Sequence, residues 1–165
     1  MGIYMDVEIY LPDTEATLDL GIFLANAIKK VPNPPSLLLQ GDLGSGKTTV
    51  VRGFVESLPG SEMAEVSSPS FNIFNLYPTT PPVAHFDLYR LEGMPPDDSL
   101  FEQLEDPETI TIIEWIQFLD RELWPEEALF FQWSPSKTGR NLKLRAMGET
   151  ASKIVKAVAQ KREQQ

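Results

Sequence analysis

The sequence contains no cysteine among its 165 residues. A disulfide framework, a thiolate zinc site and a thiol nucleophile are therefore excluded, and a reducing cytoplasm is the expected compartment. Long hydrophobic runs are also missing, because no stretch approaches the roughly 18 apolar residues of a membrane helix. The opening MGIYMDVEIY lacks the basic-then-apolar pattern of a signal peptide. We expect one cytoplasmic domain over residues 1–165, without membrane contact.

Positive charge is scarce, with 14 Lys and Arg against 24 Asp and Glu and a net charge of -10. Affinity for nucleic acid comes mainly from neutralising phosphates, so this balance argues against an autonomous nucleic-acid binder. From Lys137 onward, however, eight basic residues face only Glu149 and Glu163. Lys143, Arg145 and the later basic residues either line the solvent faces of a strand and a helix or contact RNA or an acidic partner.

Strand and helix periodicities alternate along the chain. Short apolar or alternating runs predict strands at residues 6–12, 36–40, 71–77, 83–91 and 109–115, and a hairpin at 128–148 that turns at Thr138 and Gly139. The run SLLLQ, residues 36–40, is continuously apolar, which is typical of a strand buried on both faces of a parallel sheet.

Helical spacing separates these strands. Asp13 or Thr14 can cap a first helix, and further helices are expected after residue 46, near residue 100 and at the end of the chain. The apolar residues predicted to face inward are Leu18, Ile22, Ala25 and Ile28; Val51, Phe54, Val55 and Leu58; Leu100, Phe101 and Leu104; and Ile154, Val155 and Val158. This layout predicts an α/β domain, a mixed, mostly parallel sheet flanked by helices with antiparallel hairpin additions.

The octapeptide GDLGSGKT, Gly41 to Thr48, fits the phosphate-loop pattern G-x-x-x-x-G-K-[ST] and lies between a predicted strand and helix. Backbone amides from Gly44 to Thr48 are expected to point at a β-phosphate, with the helix N-terminus adding partial positive charge. Lys47 would bridge the β- and γ-phosphates, and the Thr48 hydroxyl would hold Mg²⁺. The predicted nucleotide-binding residues here are Gly41, Asp42, Leu43, Gly44, Ser45, Gly46, Lys47, Thr48 and Thr49. The motif predicts a P-loop NTPase-like domain.

Two acidic residues lie near the ends of predicted strands. Asp87 follows an apolar run in HFDLYR, where alternation places His85, Asp87 and Tyr89 on one face, and Glu114 ends TIIEW. Ligands gather outside the carboxyl ends of parallel strands, so both acids are predicted to converge beside the phosphate loop. Either acid alone could instead be satisfied by backbone amides or an arginine.

Three further features carry open alternatives. His85, the only histidine, is either a general base or a packed, hydrogen-bonded ring, and phosphoryl transfer does not require such a base. SSPSF, residues 67–71, is either an ordinary turn or a loop that senses the γ-phosphate. Trp115 either stacks on the base or ribose of a nucleotide or packs in the core.

The stretches GDLGSGKTT, SSPSF, HFDLYR and IIEW, in this order and spacing, resemble the TsaE (YjeE) family of bacterial P-loop ATPases needed for threonylcarbamoyladenosine in tRNA. The opening YLPDTEAT and the closing GRNLKLRAMG also resemble the ends of that family, so the similarity covers most of the chain.

The resemblance implies roles for individual residues. Thr48 and Glu114 would bind Mg²⁺, and Asp87 would be needed for hydrolysis. Ser68, Pro69 and Ser70 would form a switch-like loop. The stretch around Asp13 and Thr14 would lie near adenine, and adenine rather than guanine is implied by the resemblance alone. Together these expectations make Lys47, Asp87 and Glu114 the catalytic set and ATP or ADP with Mg²⁺ the cofactors.

Two positions depart from the family pattern. Gln117 stands where members commonly carry an acid, so that position receives no metal role, whereas Ser70 replaces a common Thr and keeps the hydroxyl. The resemblance further implies a TsaB–TsaD-like heterodimer as partner, with tRNA contacted mainly through that pair. Arg52 and Arg90 are the only arginines expected near the site, so hydrolysis by the isolated chain should be slow.

Two other function classes use the same loop. A nucleotide-gated binding module would change its affinity for a partner without turnover. A small-molecule kinase would let Asp87 accept a proton from a hydroxyl group, and would also need an acceptor pocket and a lid. The predicted function is a Mg²⁺-dependent ATPase in tRNA modification.

Overall fold

A computed structural model describes residues 4–67, 69, 74–92 and 94–164. The strands in these ranges are β1 (Tyr4–Leu11), β2 (Ser36–Gln40), β3 (Phe74–Tyr77), β4 (Val83–Asp87), β5 (Ile110–Glu114), β6 (Ala128–Pro135) and β7 (Arg140–Met147). The α-helices are α1 (Thr14–Ile28), α2 (Lys47–Glu56), α3 (Asp98–Glu105) and α4 (Glu149–Glu163).

The strands form one sheet in the order β1-β7-β6-β2-β5-β4-β3. The four central strands, β6, β2, β5 and β4, are parallel to one another. Antiparallel strands extend the sheet on both sides, β3 beside β4 and the β7–β1 pair beside β6. This arrangement confirms the predicted α/β fold class, with a parallel centre and antiparallel additions.

The central strand β2 is buried on both faces, as its continuous apolar run predicts. Leu37 and Leu39 pack with α1, α2 and α4 on one face of the sheet, and Leu38 packs with α3 and the residues after β5 on the other. All three leucines have no exposed surface. Because β2 is fixed from both sides, the loop that leaves its carboxyl end starts from a rigid position.

The inner face of α1 differs from the prediction. Ile22 is 40% exposed and Leu18 is only half-buried, whereas Leu20, Gly21 and Leu24 are buried together with the correctly predicted Ala25 and Ile28. Gly21 lies against the backbone of α2, where a Cβ atom would come within 2.5 Å of the Val50 carbonyl oxygen. The helix is rotated to bring this glycine inward, and periodicity of large apolar residues gives no weight to glycine.

Other elements follow the sequence with shifts at their ends. Strand β4 stops at Asp87, and Tyr89–Leu91 forms a short 3-10 helix, so Tyr89 does not continue the strand face of His85 and is 49% exposed. Leu58 lies beyond the end of α2 but is buried as predicted. The predicted strand residues 71–73 lie outside the described residues. Within the described part of the chain, no helix has the length and apolar character required for a membrane span.

Candidate functional site

The glycine-rich loop lies where the sequence predicts it, between the end of β2 and the start of α2. Gly44 and Gly46 adopt φ angles of 75° and 112°, a region that favours glycine because it has no Cβ atom. Gly46 is the residue that caps α2, and no side chain supplies a capping hydrogen bond there. The cap position is therefore open to an anion from outside the helix.

Backbone amides at the start of α2 form the anion-binding end of this loop. The first helical hydrogen bond runs from the Val50 amide to the Gly46 carbonyl, so the amides of Lys47, Thr48 and Thr49 precede the helical ladder. The Ser45 amide departs from the expected inward row, because it donates to the Asp42 carbonyl at 3.1 Å.

Lys47 is 5% exposed and lies folded against its own loop. Its ammonium group donates to the carbonyl oxygens of Gly41 at 2.6 Å and Asp42 at 2.7 Å, and lies 4.5 Å from the centre of the Trp115 ring. Burial lowers the pKa of Lys47 from its ordinary value of 10.5, and nearby carboxylates, Glu114 first, oppose this shift. The Gly41 and Asp42 carbonyl oxygens thus hold the lysine beside the phosphate loop, and the phosphates of a nucleotide would compete with them for its ammonium group.

The two predicted acids converge as the sequence indicates. Asp87 and Glu114 are direct partners in the parallel pairing of β4 and β5. Glu114 is 2% exposed, and its Oε1 atom accepts a hydrogen bond from the Thr48 hydroxyl at 3.4 Å. Asp87 is half-buried, and its Oδ1 atom accepts from the Tyr89 amide at 2.9 Å. A carboxylate and a hydroxyl therefore face each other beside the first turn of α2.

This donor pair fits one hard divalent cation. Hydroxyl and carboxylate oxygens suit Mg²⁺, which is usually held by only one or two carboxylates together with substrate phosphates. Among the described residues, no cluster of three His, Asp or Glu side chains could hold a metal ion by itself. Phosphate oxygens would therefore have to complete a site made by Thr48 and Glu114.

His85 is a packed ring, in agreement with one of its two predicted alternatives. It has no exposed surface, and both ring nitrogens have partners. Nδ1 lies 3.1 Å from the Tyr77 hydroxyl, and Nε2 lies 2.5 Å from Oε2 of Glu114. The histidine thus contacts the predicted metal-binding carboxylate and does not line the cleft.

An open cleft of about 400 Å³ joins these groups. Of the predicted catalytic, nucleotide-binding and metal-binding residues, those that line it are Asp13, Thr14, Leu43, Gly44, Ser45, Gly46, Lys47, Thr48, Thr49, Asp87, Glu114 and Trp115. Gly41 and Asp42 do not line it and instead hold Lys47 through their carbonyl groups. Ser68 and Ser70 of the expected switch-like loop lie outside the described residues, while Pro69 is buried.

The start of α1 also lines the cleft. Asp13 is the N-cap of that helix, and its Oδ1 atom accepts from the Ala16 amide at 2.8 Å. Trp115 is half-buried with a left-handed backbone (φ 58°, ψ 43°) that turns the chain directly after Glu114. Its ring packs 4.8 Å from the Tyr89 ring and 5.8 Å from the Phe118 ring, and the residue also lines the cleft.

The expectation that Arg52 and Arg90 would be the only arginines near the site was wrong. Arg140 lines the cleft, donating to the carbonyl oxygens of Gly139 at 2.9 Å and Gly44 at 3.3 Å. It begins β7, and the β6–β7 hairpin brings it to the phosphate loop, 96 residues from Gly44 in the sequence. The sequence predicts the hairpin but not that β6 lies beside β2, and this non-local parallel pairing places Arg140 at the loop.

Comparison with known proteins supports the same assignment. The family model described as "Threonylcarbamoyl adenosine biosynthesis protein TsaE" matches residues 11–142. A protein named tRNA threonylcarbamoyladenosine biosynthesis protein TsaE from Nostoc sp. is 38% identical over 123 residues, 70% of this chain and 71% of its own. A protein of that name from Haemophilus influenzae is 29% identical over 154 residues, 90% of this chain and 94% of its own.

A solved structure agrees at the level of the fold. The crystal structure of YdiB from Bacillus subtilis superposes with a TM-score of 0.72 at 23% identity, over 98% of each chain. The matched family region contains the phosphate loop, both carboxylates and Trp115. The chain therefore belongs to the TsaE family of tRNA threonylcarbamoyladenosine biosynthesis proteins.

Proposed function

We propose that this protein is a Mg²⁺-dependent ATPase that acts with a TsaB–TsaD-like pair in forming threonylcarbamoyladenosine in tRNA. Membership of the TsaE family supports the pathway and the cytoplasmic location that tRNA modification requires. The observation that carries the chemistry is the 3.4 Å approach of the Thr48 hydroxyl to the Glu114 carboxylate beside the open first turn of α2.

Different groups of the cleft would bind different parts of the nucleotide. The amides that begin α2 and the Lys47 ammonium hold phosphate oxygens, since both place positive charge at the same end of the cleft. Asp13 and Thr14 line the same cleft, and in this proposal the base lies beside them. Trp115 also lines the cleft. The nucleotide would then extend from the phosphate loop toward the start of α1.

Thr48 and Glu114 are the residues that would hold Mg²⁺. Bound there, the ion would neutralise charge on the β- and γ-phosphate oxygens, which is its usual part in phosphoryl transfer. Asp87 lies on the neighbouring strand β4 and is half-buried, and in this proposal it orients a water molecule. Phosphoryl transfer depends on positioning and charge neutralisation, and these side chains supply both.

The need for a partner in ATP hydrolysis follows from the arginine side chains that the cleft contains. Stimulating arginines raise the turnover of P-loop enzymes by about 10³ to 10⁵. Arg140 is occupied with carbonyl oxygens of the chain itself, and the cleft is open to solvent. We infer that the isolated protein turns over slowly and that the TsaB–TsaD-like pair completes the site.

Glu114→Gln tests the chemical part of the proposal. The change keeps the shape of the side chain and removes its charge, so we expect Mg²⁺-dependent ATP hydrolysis to fall by about 100-fold or more while ADP still binds in EDTA. Glu108→Gln, at an exposed position, is the matched control and should hydrolyse ATP at the normal rate.

Labelled ATP distinguishes the alternatives. Release of labelled phosphate into water supports an ATPase, whereas transfer to an added metabolite would favour a kinase. Nucleotide-dependent partner binding without turnover would favour a switch. Unchanged hydrolysis in Glu114→Gln would contradict the assignment of this carboxylate.

A further inference from the structure

A buried polar chain leads away from Glu114, on the side of the carboxylate opposite Thr48. Glu114 Oε1 receives the Thr48 hydroxyl, and Oε2 lies against His85 Nε2. The other ring nitrogen, Nδ1, contacts the Tyr77 hydroxyl at 3.1 Å. The exposed fractions are 0% for His85, 2% for Glu114 and 3% for Tyr77, so no solvent competes for these contacts.

The chain ends on the backbone at Ser67. The Tyr77 hydroxyl donates to the Ser67 carbonyl at 3.2 Å, and Asn75 Nδ2 donates to the same oxygen at 3.0 Å. Three strands supply the members, since Tyr77 and Asn75 belong to β3, His85 to β4 and Glu114 to β5. The contacts therefore cross the sheet edge and reach the SSPSF stretch, which begins at Ser67.

Hydrogen-bond geometry makes the two ends of this chain depend on each other. An ionised Glu114 only accepts hydrogen bonds, so His85 donates from Nε2 and Nδ1 is left as an acceptor for Tyr77. The Tyr77 hydroxyl has a single hydrogen and faces two acceptors, Nδ1 and the Ser67 carbonyl. The acceptor that does not receive this hydrogen needs another donor, and Asn75 Nδ2 already donates to the Ser67 carbonyl.

We propose that His85 and Tyr77 position Glu114 for its cation and couple that carboxylate to the backbone at Ser67. This rests on the proposed function, because it assumes that nucleotide and Mg²⁺ bind at Thr48 and Glu114. His85 and Tyr77 are positioning residues, as neither lines the cleft. Outer partners of metal ligands commonly change metal affinity by about 10- to 100-fold when they are lost.

Two substitutions of His85 test the first half of the proposal, the positioning of Glu114, because each keeps a polar group at only one of the two ring-nitrogen positions. In His85→Gln the amide nitrogen can replace Nε2 as the donor to Glu114, whereas in His85→Asn the shorter amide can replace only Nδ1, with its oxygen accepting from Tyr77. With a fluorescent ADP analogue as probe, we expect the Mg²⁺ concentration at half-saturation to rise about 10-fold or more in His85→Asn. His85→Gln should stay within about 3-fold of the parent, and affinity in EDTA should be unchanged in both.

Hydrogen exchange tests the second half. In the parent, Mg²⁺ and the ADP analogue should slow exchange in peptides that contain Ser67, and Tyr77→Phe should remove most of that response. Tyr77→Phe deletes one oxygen and keeps the ring, so it preserves the packing. Tyr10→Phe deletes the same atom in β1, at the edge of the sheet farthest from β3, and should respond like the parent.

The outcomes separate the two proposals. If the parent fails to bind the analogue, the proposed function fails and this inference fails with it. If Glu114→Gln raises the Mg²⁺ requirement but His85→Asn does not, the proposed function stands and the positioning role is overturned. A Ser67 response that persists in Tyr77→Phe overturns the coupling. Thermal unfolding of each variant identifies changes that merely unfold the protein.

Discussion

At the scale of single residues, the burial of the charged Lys47 side chain lowers the free energy of unfolding. It is almost completely buried in the described structure, and its ammonium group is satisfied by two carbonyl oxygens and one aromatic ring. Burial lowers its pKa despite the nearby carboxylates, so the charged form is less favourable here than in water. The residue that makes phosphate binding possible therefore costs stability in the absence of nucleotide.

Lys47→Met should make the nucleotide-free protein more stable. The expected gain is about 1 kcal/mol, or about 3 °C in Tm for a chain of this size, with loss of ADP binding. Because the folded pKa is below 10.5, the cost is fully present below the folded pKa and is relieved as pH rises from the folded pKa toward 10.5. Thermal melts at pH 7 and 10 should show the difference shrinking. A variant less stable at both pH values would refute this account.

Arg140 is a second residue whose effect can be measured directly. Its guanidinium group lies 3.3 Å from the Gly44 carbonyl at the mouth of the cleft, where positive charge attracts phosphates. Arg140→Gln should weaken ATP binding by about 5-fold or more, measured by calorimetry at low salt. Arg52→Gln, at an exposed position on α2, is the matched control and should bind normally. Equal affinities in the two variants would remove Arg140 from the site.

Residue-level prediction succeeded where the signal is local. The phosphate loop is a contiguous motif, and Asp87 and Glu114 each end an apolar run, so the sequence predicts both their position and their convergence. Arg140 and the Tyr77–His85–Glu114 contacts were missed because they depend on which strands pair. Strand order is set by packing over the whole sheet, and no local pattern encodes it.

At the scale of elements, the crossing of α1 and α2 holds the phosphate loop in place. Gly21 of α1 and Gly53 of α2 face each other's helix backbone, and a Cβ atom at Gly53 would collide with the Leu18 carbonyl. The helices can approach closely because both positions lack side chains. Since α2 begins at Lys47, any separation of the pair moves the anion-binding amides.

Gly53→Ala should destabilise the protein by about 2 kcal/mol or more, although alanine is the better helix former by about 1 kcal/mol. The collision is with backbone, so the helices must separate. Urea unfolding measures the loss, and ADP affinity should fall with it. Asn26→Ala and Asn26→Gly, at an exposed position of α1, are a control pair for the intrinsic preference alone. A Gly53→Ala protein more stable than the parent would contradict the close crossing.

Element types were predicted well, and element faces less well. Period-two and continuous apolar runs identified the strands, and the β6–β7 hairpin turns at Gly139 with a φ of 74°, as its glycine indicates. The inner face of α1 was misassigned because Gly21 faces inward while Ile22 is exposed. The pattern of apolar residues predicts the buried face of a helix where large side chains fill the contact. It fails where the backbones approach so closely that a glycine lies at the contact.

At the scale of the whole molecule, the charge distribution favours partner-mediated contact with tRNA. The net charge is -10, and the basic residues of β7 are partly neutralised within the chain. Lys143 and Arg145 lie 3.8 and 3.6 Å from Asp6 of β1, which confirms their placement on the solvent face of a strand. Contact of this face with tRNA or a partner stays a prediction.

Reversing Lys143 and Arg145 together to glutamate should weaken binding to the partner–tRNA assembly by about 5-fold at low salt. The reversal removes two positive charges and places two negative ones beside Asp6. Lys29 and Lys30, changed in the same way at the end of α1, provide a control with the same net charge. Equal affinities for parent and variant in a low-salt binding assay would assign these lysine and arginine side chains to solvation alone.

The central claim is that the phosphate loop, Thr48 and Glu114 form an ATPase site that partners complete. Steady-state ATP hydrolysis by the purified protein tests it most directly, alone and with a TsaB–TsaD pair titrated in, with Lys47→Ala as the blank. The account predicts slow turnover that rises with the pair and disappears in Lys47→Ala. Turnover that ignores the pair, or that persists in Lys47→Ala, would contradict it.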